Sequence, residues 1–361
     1  MEKYTLSMVP GPVAVPPSIR EAAMTDYGSG MMEPEYLADY RQTERLLQHL
    51  LGTRSRVVIQ TGEGMLALWT ALKSALAPGD KVLAISTGMF GSGFAEMAAA
   101  IGCQVQTLAY PFNETVHDLP RLERAIRDFR PVMITLVHCE TPSGTLNPAR
   151  EIGEIKRRLG VPLLCMDTIS GVGGVPVLAD DWHVDMALGA SQKCLSAPPS
   201  LSFLSVSDEA ARRVRQVAYS GYEALLPFLD APETGNFPYT PYWQGLAQLK
   251  RACEAIEEEG LEACFERHRS VAAYCRQRLE GMGLQLYPAP GAVNSPTVTA
   301  VRVPEIGWQR LDERTRARGL VLGNNFGELG GKVFRLGHMG SQATPRLVAD
   351  ALDILEDALR P

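Results

Sequence analysis

A lysine that closely follows an apolar segment is a candidate for a reactive amine in this sequence. Lys193 comes three residues after Ala190, in the string Ala190-Ser191-Gln192-Lys193-Cys194, which follows the apolar residues 186–188. Apolar neighbours lower the pKa of a lysine amine, and an imine-forming lysine requires a lowered pKa. The alternative for any single lysine is a solvated surface charge.

An aspartate ends another apolar segment. Asp167 directly follows residues 161–166, which read as a buried strand. A carboxylate at such a strand end can pair with a protonated pyridine nitrogen, and that pairing keeps the ring a good electron sink. The alternative is that Asp167 only caps a loop.

The elements that must position these side chains alternate short apolar strands with amphipathic helices. This alternation predicts an α/β architecture with a mainly parallel sheet to about residue 235. A long helical stretch over residues 242–281 and a smaller α+β unit are predicted to follow. The predicted strands are residues 57–60, 81–86, 104–108, 132–137, 161–166, 186–188, 201–206, 297–303, 320–322 and 333–336; the other predicted helices are residues 34–51, 65–77, 91–101, 118–128, 149–159 and 345–359.

Polar or glycine-rich clusters stand at the ends of five predicted strands. In open α/β sheets, ligands bind beyond the carboxyl ends of the strands, so the sequence predicts a site where these clusters meet. The clusters are Thr61-Gly62-Glu63-Gly64, Thr87-Gly88-Met89-Phe90, His138-Cys139-Glu140-Thr141, Asp167-Thr168 and Ser191-Gln192-Lys193.

Composition argues against several classes of partner. The 361 residues carry a formal net charge of −6 and show no basic stripe, so no nucleic-acid partner is expected. No run of about 18 apolar residues occurs, so no membrane span is expected. The six histidines and seven cysteines form no metal-ligand pattern. The N-terminal residues lack a signal pattern, so a cytoplasmic location is expected.

The strings taken together resemble a known family. Ser191-Gln192-Lys193 followed by Ala197-Pro198-Pro199, with Asp167 upstream and Gly11-Pro12 near the start, is similar to the class V aminotransferases of fold type I. The similarity is closest to the alanine–glyoxylate, serine–pyruvate and pyridoxamine–pyruvate branch, and it extends from about Pro10 to Leu359. It implies an N-terminal arm (1–20), a large cofactor-binding domain with a seven-stranded sheet (21–240), and a long linking helix with a small C-terminal domain (241–361).

The resemblance also implies a cofactor, pyridoxal 5′-phosphate, and a role for individual residues. Lys193 would form the Schiff base and shuttle the proton, and Asp167 would pair with the ring nitrogen. Arg335 would hold the substrate carboxylate, for which a guanidinium fork is suited. Further cofactor contacts are implied for Glu63, Gly64 and Met65 in the phosphate cup, Phe90 stacked on the ring (a core phenylalanine being the alternative), Thr141 at the 3-oxygen, Ile169 beneath the ring, Gln192 near the phosphate, and Phe237 and Thr240 reaching the neighbouring subunit of a homodimer with shared active sites.

The phosphate cup departs from the family pattern at Glu63, where a small hydroxyl residue is usual. A carboxylate beside a phosphate is repulsive. Either Glu63 caps the following helix and weakens the phosphate site, or the ligand has no phosphate and Glu63 accepts a hydrogen bond from its free hydroxyl.

Three reactions remain open at this point. The first is transfer of an amino group between a small amino acid, such as alanine or serine, and a 2-oxo acid, glyoxylate or pyruvate. The second is a pyridoxamine–pyruvate transamination in which unphosphorylated pyridoxamine is the substrate, although residues 324–327 lack the second carboxylate-binding arginine that such enzymes carry. The third is a β-lyase or desulfurase reaction, for which the thiol of Cys194 is not placed favourably.

Overall fold

A computed structural model describes residues 6–360 of the chain. Its strands are β1 (Leu6–Met8), β2 (Arg56–Thr61), β3 (Lys81–Ser86), β4 (Gln104–Ala109), β5 (Met133–Val137), β6 (Cys139–Glu140), β7 (Thr145–Leu146), β8 (Leu163–Asp167), β9 (Met186–Ala190), β10 (Leu201–Val206), β11 (Thr299–Arg302), β12 (Leu320–Leu322) and β13 (Val333–Leu336). Its helices are α1 (Pro17–Ala22), α2 (Pro34–Leu50), α3 (Gly64–Ala75), α4 (Met89–Ile101), α5 (Leu119–Phe129), α6 (Ala149–Arg158), α7 (Asp208–Val217), α8 (Ala231–Thr234), α9 (Trp243–Glu259), α10 (Leu261–Gly281), α11 (Trp308–Arg316) and α12 (Pro345–Leu359).

The large sheet has seven strands in the order β2-β10-β9-β8-β5-β3-β4. Strand β10 runs antiparallel to both of its neighbours, whereas the pairs from β9 to β4 are parallel. Every residue of β5, β8, β9 and β10 is buried, as expected for strands covered by helices on both faces. The predicted α/β class with a mainly parallel seven-stranded sheet is confirmed.

The long helical stretch predicted over residues 242–281 is in fact two helices. Gly260 separates α9 from α10 and has a φ of 87°, a conformation that interrupts a helix and that glycine adopts readily. Its N–H donates to Ile256 and Glu257, which closes the last turn of α9. The apolar period of residues 242–281 continues across the break, so the periodicity alone did not reveal it.

Among residues 6–360, the two largest of the four hydrophobic clusters lie around the large sheet and in the C-terminal part of the chain. Helix α9, the first part of the predicted linking helix, contributes Leu246 and Leu249 to the cluster around the large sheet. The second core joins Met8 and Phe334 to residues of α10 and α12. Strand β1 pairs in parallel with β12, so the start of the described N-terminal arm is attached to the small unit, while the Val13 N–H donates to Gln192 of the large one.

The sheet positions the predicted site by bringing strand ends to one edge. Strands β2, β3, β5, β8 and β9 run in the same direction, and the polar clusters follow their carboxyl ends. The segment after β8 is held by its backbone, because the Thr168 N–H donates to Leu188. Within residues 6–360, no helix has both the length and the hydropathy needed to cross a bilayer.

Candidate active site

A cavity of about 150 Å³ lies where these strand ends meet. A larger cavity, of about 730 Å³, is lined by Leu66, Trp69 and Lys73 of α3 and contains none of the predicted site residues. Convergence of polar groups, rather than size, therefore locates the site. The smaller cavity is lined by Glu63, Gly64, Met65, Leu68, Phe90, Thr141, Asp167, Ile169, Ser170, Gln192 and Lys193.

Lys193 stands in the turn between β9 and β10, and its amine points toward the N-terminal arm. Its Nζ donates to the carbonyl oxygen of Pro10 at 2.6 Å. Burial and, to a smaller extent, the nearby Arg335 guanidinium lower the pKa of this amine to about 8, while Asp167 acts in the opposite direction. About one tenth of the amine is therefore uncharged at pH 7, and this uncharged form is the one that attacks an aldehyde.

Gly11 allows the arm to lie directly against this lysine. A Cβ atom at position 11 would be 2.8 Å from Nζ and 2.9 Å from Cε of Lys193, closer than such atoms approach. The glycine also has a φ of 84°, which side-chain-bearing residues rarely adopt. In the sequence, Gly11 stands out only as part of a motif, and no local pattern reveals that this glycine and the Pro10 carbonyl position the lysine.

Asp167 ends β8 with its carboxyl group buried in the cavity floor. Its Oδ1 accepts the N–H of Ile169 at 2.8 Å. Burial raises the pKa of Asp167 to about 6, while the Ile169 N–H and the Lys193 amine act in the opposite direction. A cation against this carboxylate would lower the pKa again, and a protonated ring nitrogen is such a cation.

The walls of the cavity contain closely packed apolar groups and a buried polar atom that is free to bind a ligand. A Cβ at Gly64 would meet Ile169 Cδ1 at 2.8 Å, so glycine allows the start of α3 to approach the cavity floor. The hydroxyls of Thr141 and Ser170 share a hydrogen bond. The buried Oε1 of Gln192 has no hydrogen-bond partner among the described residues, so it can accept a ligand donor. These residues fit a flat, polar-edged ring.

The phosphate end of the site is already engaged by a side chain. Glu63 is the N-cap of α3, and its carboxylate accepts the N–H of Met65 at 3.1 Å. Helix N-terminal N–H groups are the donors that normally bind a phosphate. The residues therefore fit the ring of pyridoxal, while its phosphate would compete with Glu63 for this donor.

A second buried carboxyl group supports the aromatic wall. The Oε1 atom of Glu140 accepts the Gly91 N–H at 2.8 Å, and its Oε2 accepts the Phe90 N–H at 3.4 Å. Burial raises the pKa of Glu140 to about 8; the Gly91 N–H opposes this shift and Asp167 adds to it. Glu140 thus fixes the first turn of α4, from which Phe90 enters the cavity wall. Sequence reasoning included Glu140 only as a member of a cluster.

Arg335 lies outside the cavity wall but close enough to influence Lys193. It sits on β13, and its side chain is buried, with the residue 4% exposed. Nε donates to the carbonyl oxygen of Asn324 at 3.1 Å, and Nη2 donates to the same atom. The ring of Phe326 covers the guanidinium at 4.8 Å from its Cζ atom. Burial lowers the pKa of Arg335 to about 10.

The two residues predicted to reach the neighbouring subunit differ in exposure. Phe237 is buried in its own protomer, with its ring centroid 5.2 Å from that of Tyr40 and 5.9 Å from that of Tyr36. Its contact with a neighbouring cofactor stays a prediction. Thr240, by contrast, is exposed, and its predicted contact with a partner stays a prediction.

Known proteins are similar to this chain in both sequence and fold. Residues 21–323 match the family model described as aminotransferase class-V. The chain is 30% identical to the pyridoxamine–pyruvate transaminase of Mesorhizobium japonicum, covering 98% of this chain and 91% of that protein. It is also 30% identical to the alanine–glyoxylate aminotransferase of Mus musculus, covering 98% and 87% respectively. The crystal structure of pyridoxamine–pyruvate aminotransferase from Mesorhizobium loti superposes with a TM-score of 0.94 at 28% identity, covering 99% of this chain and 92% of that one.

Proposed function

This chain belongs to the class-V aminotransferase family, whose members depend on pyridoxal phosphate, and we propose that it moves an amino group between a small amino acid and a 2-oxo acid such as glyoxylate or pyruvate. The observation that carries this proposal is that Lys193 and Asp167 line the same small cavity and influence each other electrostatically. The amine that would react with an aldehyde and the carboxylate that would pair with a ring nitrogen are therefore close enough to contact one pyridine ring.

Each residue then has a role that follows from its own geometry. When bound, pyridoxal supplies an aldehyde that condenses with amines and a ring that withdraws electrons. Lys193 holds or releases a proton at Nζ near neutral pH. Asp167 would keep the ring nitrogen protonated, and Phe90 and Ile169 would hold the ring between them. Arg335 would bind the substrate carboxylate.

Borohydride reduction followed by mass spectrometry tests the proposal directly. The purified protein is incubated with pyridoxal phosphate or with pyridoxal, reduced and digested. We expect a pyridoxyl group on the peptide that contains Lys193 and none in a Lys193→Ala variant. A pyridoxyl group confined to another lysine, or none at all, would contradict the assignment.

A second candidate is favoured by the position of Glu63. Its carboxylate occupies the Met65 N–H, and its charge repels a phosphate, so unphosphorylated pyridoxamine with pyruvate as the acceptor is the alternative substrate pair. Reduction of the protein as purified, before any ligand is added, separates the two candidates, because the mass of the retained adduct differs by one phosphate group.

A lyase or desulfurase reaction that uses Cys194 is not supported by the position of its thiol. Cys194 is buried, and its Sγ points to the carbonyl oxygen of Ser170 at 3.8 Å. Burial raises the pKa of this thiol, so little of the reactive thiolate exists at neutral pH.

A homodimer with shared sites is the proposed assembly. Large apolar side chains are exposed around the cup: Met65 lies in it, and Tyr242 is attached to it through a hydrogen bond from its N–H to Thr61 Oγ1 at 3.3 Å. Tyr222, which is 64% exposed, stacks on Tyr239 nearby. Exposed apolar patches of this kind are typical of subunit interfaces. Sedimentation velocity should give twice the mass of one chain, and a monomer at micromolar concentration would contradict the proposal.

A further inference from the structure

The guanidinium of Arg335 is a buried cation that lacks a protein counter-charge. Among residues 6–360, no acidic side chain forms an ion pair with it, and burial is the cause of its lowered pKa. A buried charge without a partner is unfavourable unless a ligand supplies the opposite charge. The charged side chains with the largest influence on the pKa of Lys193 are Arg335 and Asp167.

Part of the guanidinium is already used by the protein. Nε and Nη2 both donate to the carbonyl oxygen of Asn324, which fixes the plane of the group. The second N–H of Nη2 and the N–H groups of Nη1 do not take part in this contact. One N–H of each nitrogen points from the same edge of the guanidinium, so the two can donate together to one carboxylate. Arg335 can therefore bind one carboxylate in a defined orientation.

Phe326 stands between this cation and solvent. Its ring lies 4.8 Å from Cζ of Arg335, and the residue is 53% exposed, so one side covers the guanidinium and the other meets water. The covering segment is held in place, because Asn325 Nδ2 donates to the carbonyl oxygen of Pro142 at 2.7 Å, next to Thr141 in the cavity wall. Phe326 is thus a fixed apolar wall rather than a loose surface ring.

We propose that Phe326 is a specificity-determining residue that restricts the acid substrate to monocarboxylates. This proposal rests on the transaminase function given above and deepens it. A second carboxylate on the substrate would meet the apolar ring of Phe326. Of the charged side chains that line the cavity, Glu63 and Asp167 are acidic, and the amine of Lys193 already donates to the Pro10 carbonyl oxygen. Desolvating a carboxylate without a cation is unfavourable, so dicarboxylates bind less well.

Calorimetric titration of the full-length protein with propionate and succinate tests this proposal without any reaction. We expect the parent to prefer propionate and Arg335→Met to lose binding of both acids. Phe326→Ala should weaken propionate binding by about threefold, because the cation–π cover is lost. Phe326→Arg should shift the preference toward succinate, and Phe326→Leu should keep the preference for propionate because an apolar wall remains. Leu178→Ala removes a similarly exposed apolar side chain elsewhere and should change neither affinity.

An unchanged ratio of the two affinities in both Phe326→Ala and Phe326→Arg would overturn the proposal, as would normal propionate binding by Arg335→Met. Circular dichroism of each variant shows whether the fold is retained, and Phe326→Leu provides a second, conservative test. The titrations use no cofactor, so they stay informative if the reduction experiment places no adduct on Lys193. Failure of the two ideas can therefore be distinguished.

Discussion

The two ends of the cavity differ in how well they suit pyridoxal phosphate. At the ring end, Lys193 and Asp167 offer an amine and a carboxylate in complementary positions. At the phosphate end, the N-terminus of α3 offers N–H donors, but the Glu63 carboxylate has taken the one from Met65. The ring end carries the groups that the resemblance implies, whereas the phosphate end departs from that pattern at Glu63. The chemistry at the ring end does not by itself determine which form of the cofactor is bound.

At the ring end, Lys193→Ala should cause the largest loss of activity. We expect turnover to fall by about 1,000-fold or more, because the amine and its proton transfer are both removed. Steady-state assays with alanine and glyoxylate measure this loss. Lys73→Ala, which removes a lysine paired with Glu223 in another cavity, is the matched control and should stay active. Near-normal turnover in Lys193→Ala would reject the role of Lys193.

Asp167→Asn should have the next largest effect. An amide cannot hold a proton on the ring nitrogen, so kcat/KM should fall by about 100-fold, as when a preorganised electrostatic partner is removed. The absorbance of the bound cofactor should change as well, which a purely structural role would not predict. The exposed Asp181→Asn serves as the control. Equal kcat/KM and equal spectra in Asp167→Asn and the parent would contradict the pairing.

Glu63→Gln sharpens the contrast between the two ends. The substitution keeps the length of the side chain and removes its charge, so pyridoxal phosphate should bind about fivefold more tightly. Pyridoxal, which has no phosphate, should bind with nearly unchanged affinity. Equilibrium dialysis measures both constants, and Glu96→Gln on an exposed face of α4 controls for the change in net charge. Equal shifts for both ligands would show that Glu63 does not discriminate between them.

The pH dependence of cofactor loading gives the smallest effect. The Lys193 ammonium cannot attack an aldehyde, so the loading rate of the cofactor-free protein should rise as pH increases through about 8, the lowered pKa of this amine. Stopped-flow absorbance with pyridoxal measures the midpoint. Arg335→Met should move it upward, because a cation that lowers this pKa is removed, whereas the exposed Arg302→Met should leave it in place. A midpoint near 10.5 in the parent would contradict the burial of the amine.

Local sequence patterns predicted the strands and most helices well. The apolar segments Lys81–Ser86 and Leu201–Val206 are strands with the predicted limits, and the helix predicted from residue 118 is present as α5, which Asp118 caps by accepting the Arg121 N–H. The break at Gly260 was not predicted, because the apolar residues of α9 and α10 recur along the sequence with the spacing expected of one continuous helix. The packing of Phe237 against Tyr36 and Tyr40 was not evident from its motif, because a motif does not reveal which side chains a ring meets in the fold.

Glu140 and Phe326 show the same limit within the site. Glu140 supports Phe90 across 50 residues of chain, and Phe326 covers Arg335 through a cation–π contact. The sequence contains no signal for either contact, because both depend on the distance between segments that the fold brings together.

The sequence by itself determined the α/β class and the strand ends that carry polar groups, and its resemblance to the class V aminotransferases implied the roles of Lys193 and Asp167. Apolar periodicity and strand-end chemistry are local properties, so they can be read without a structure. Only the tertiary structure decided that the arm supports Lys193 through Pro10, that Glu63 takes the Met65 N–H, and that Arg335 is buried without an acid. Burial and pairing of charge depend on which distant segments meet, and that is set by packing.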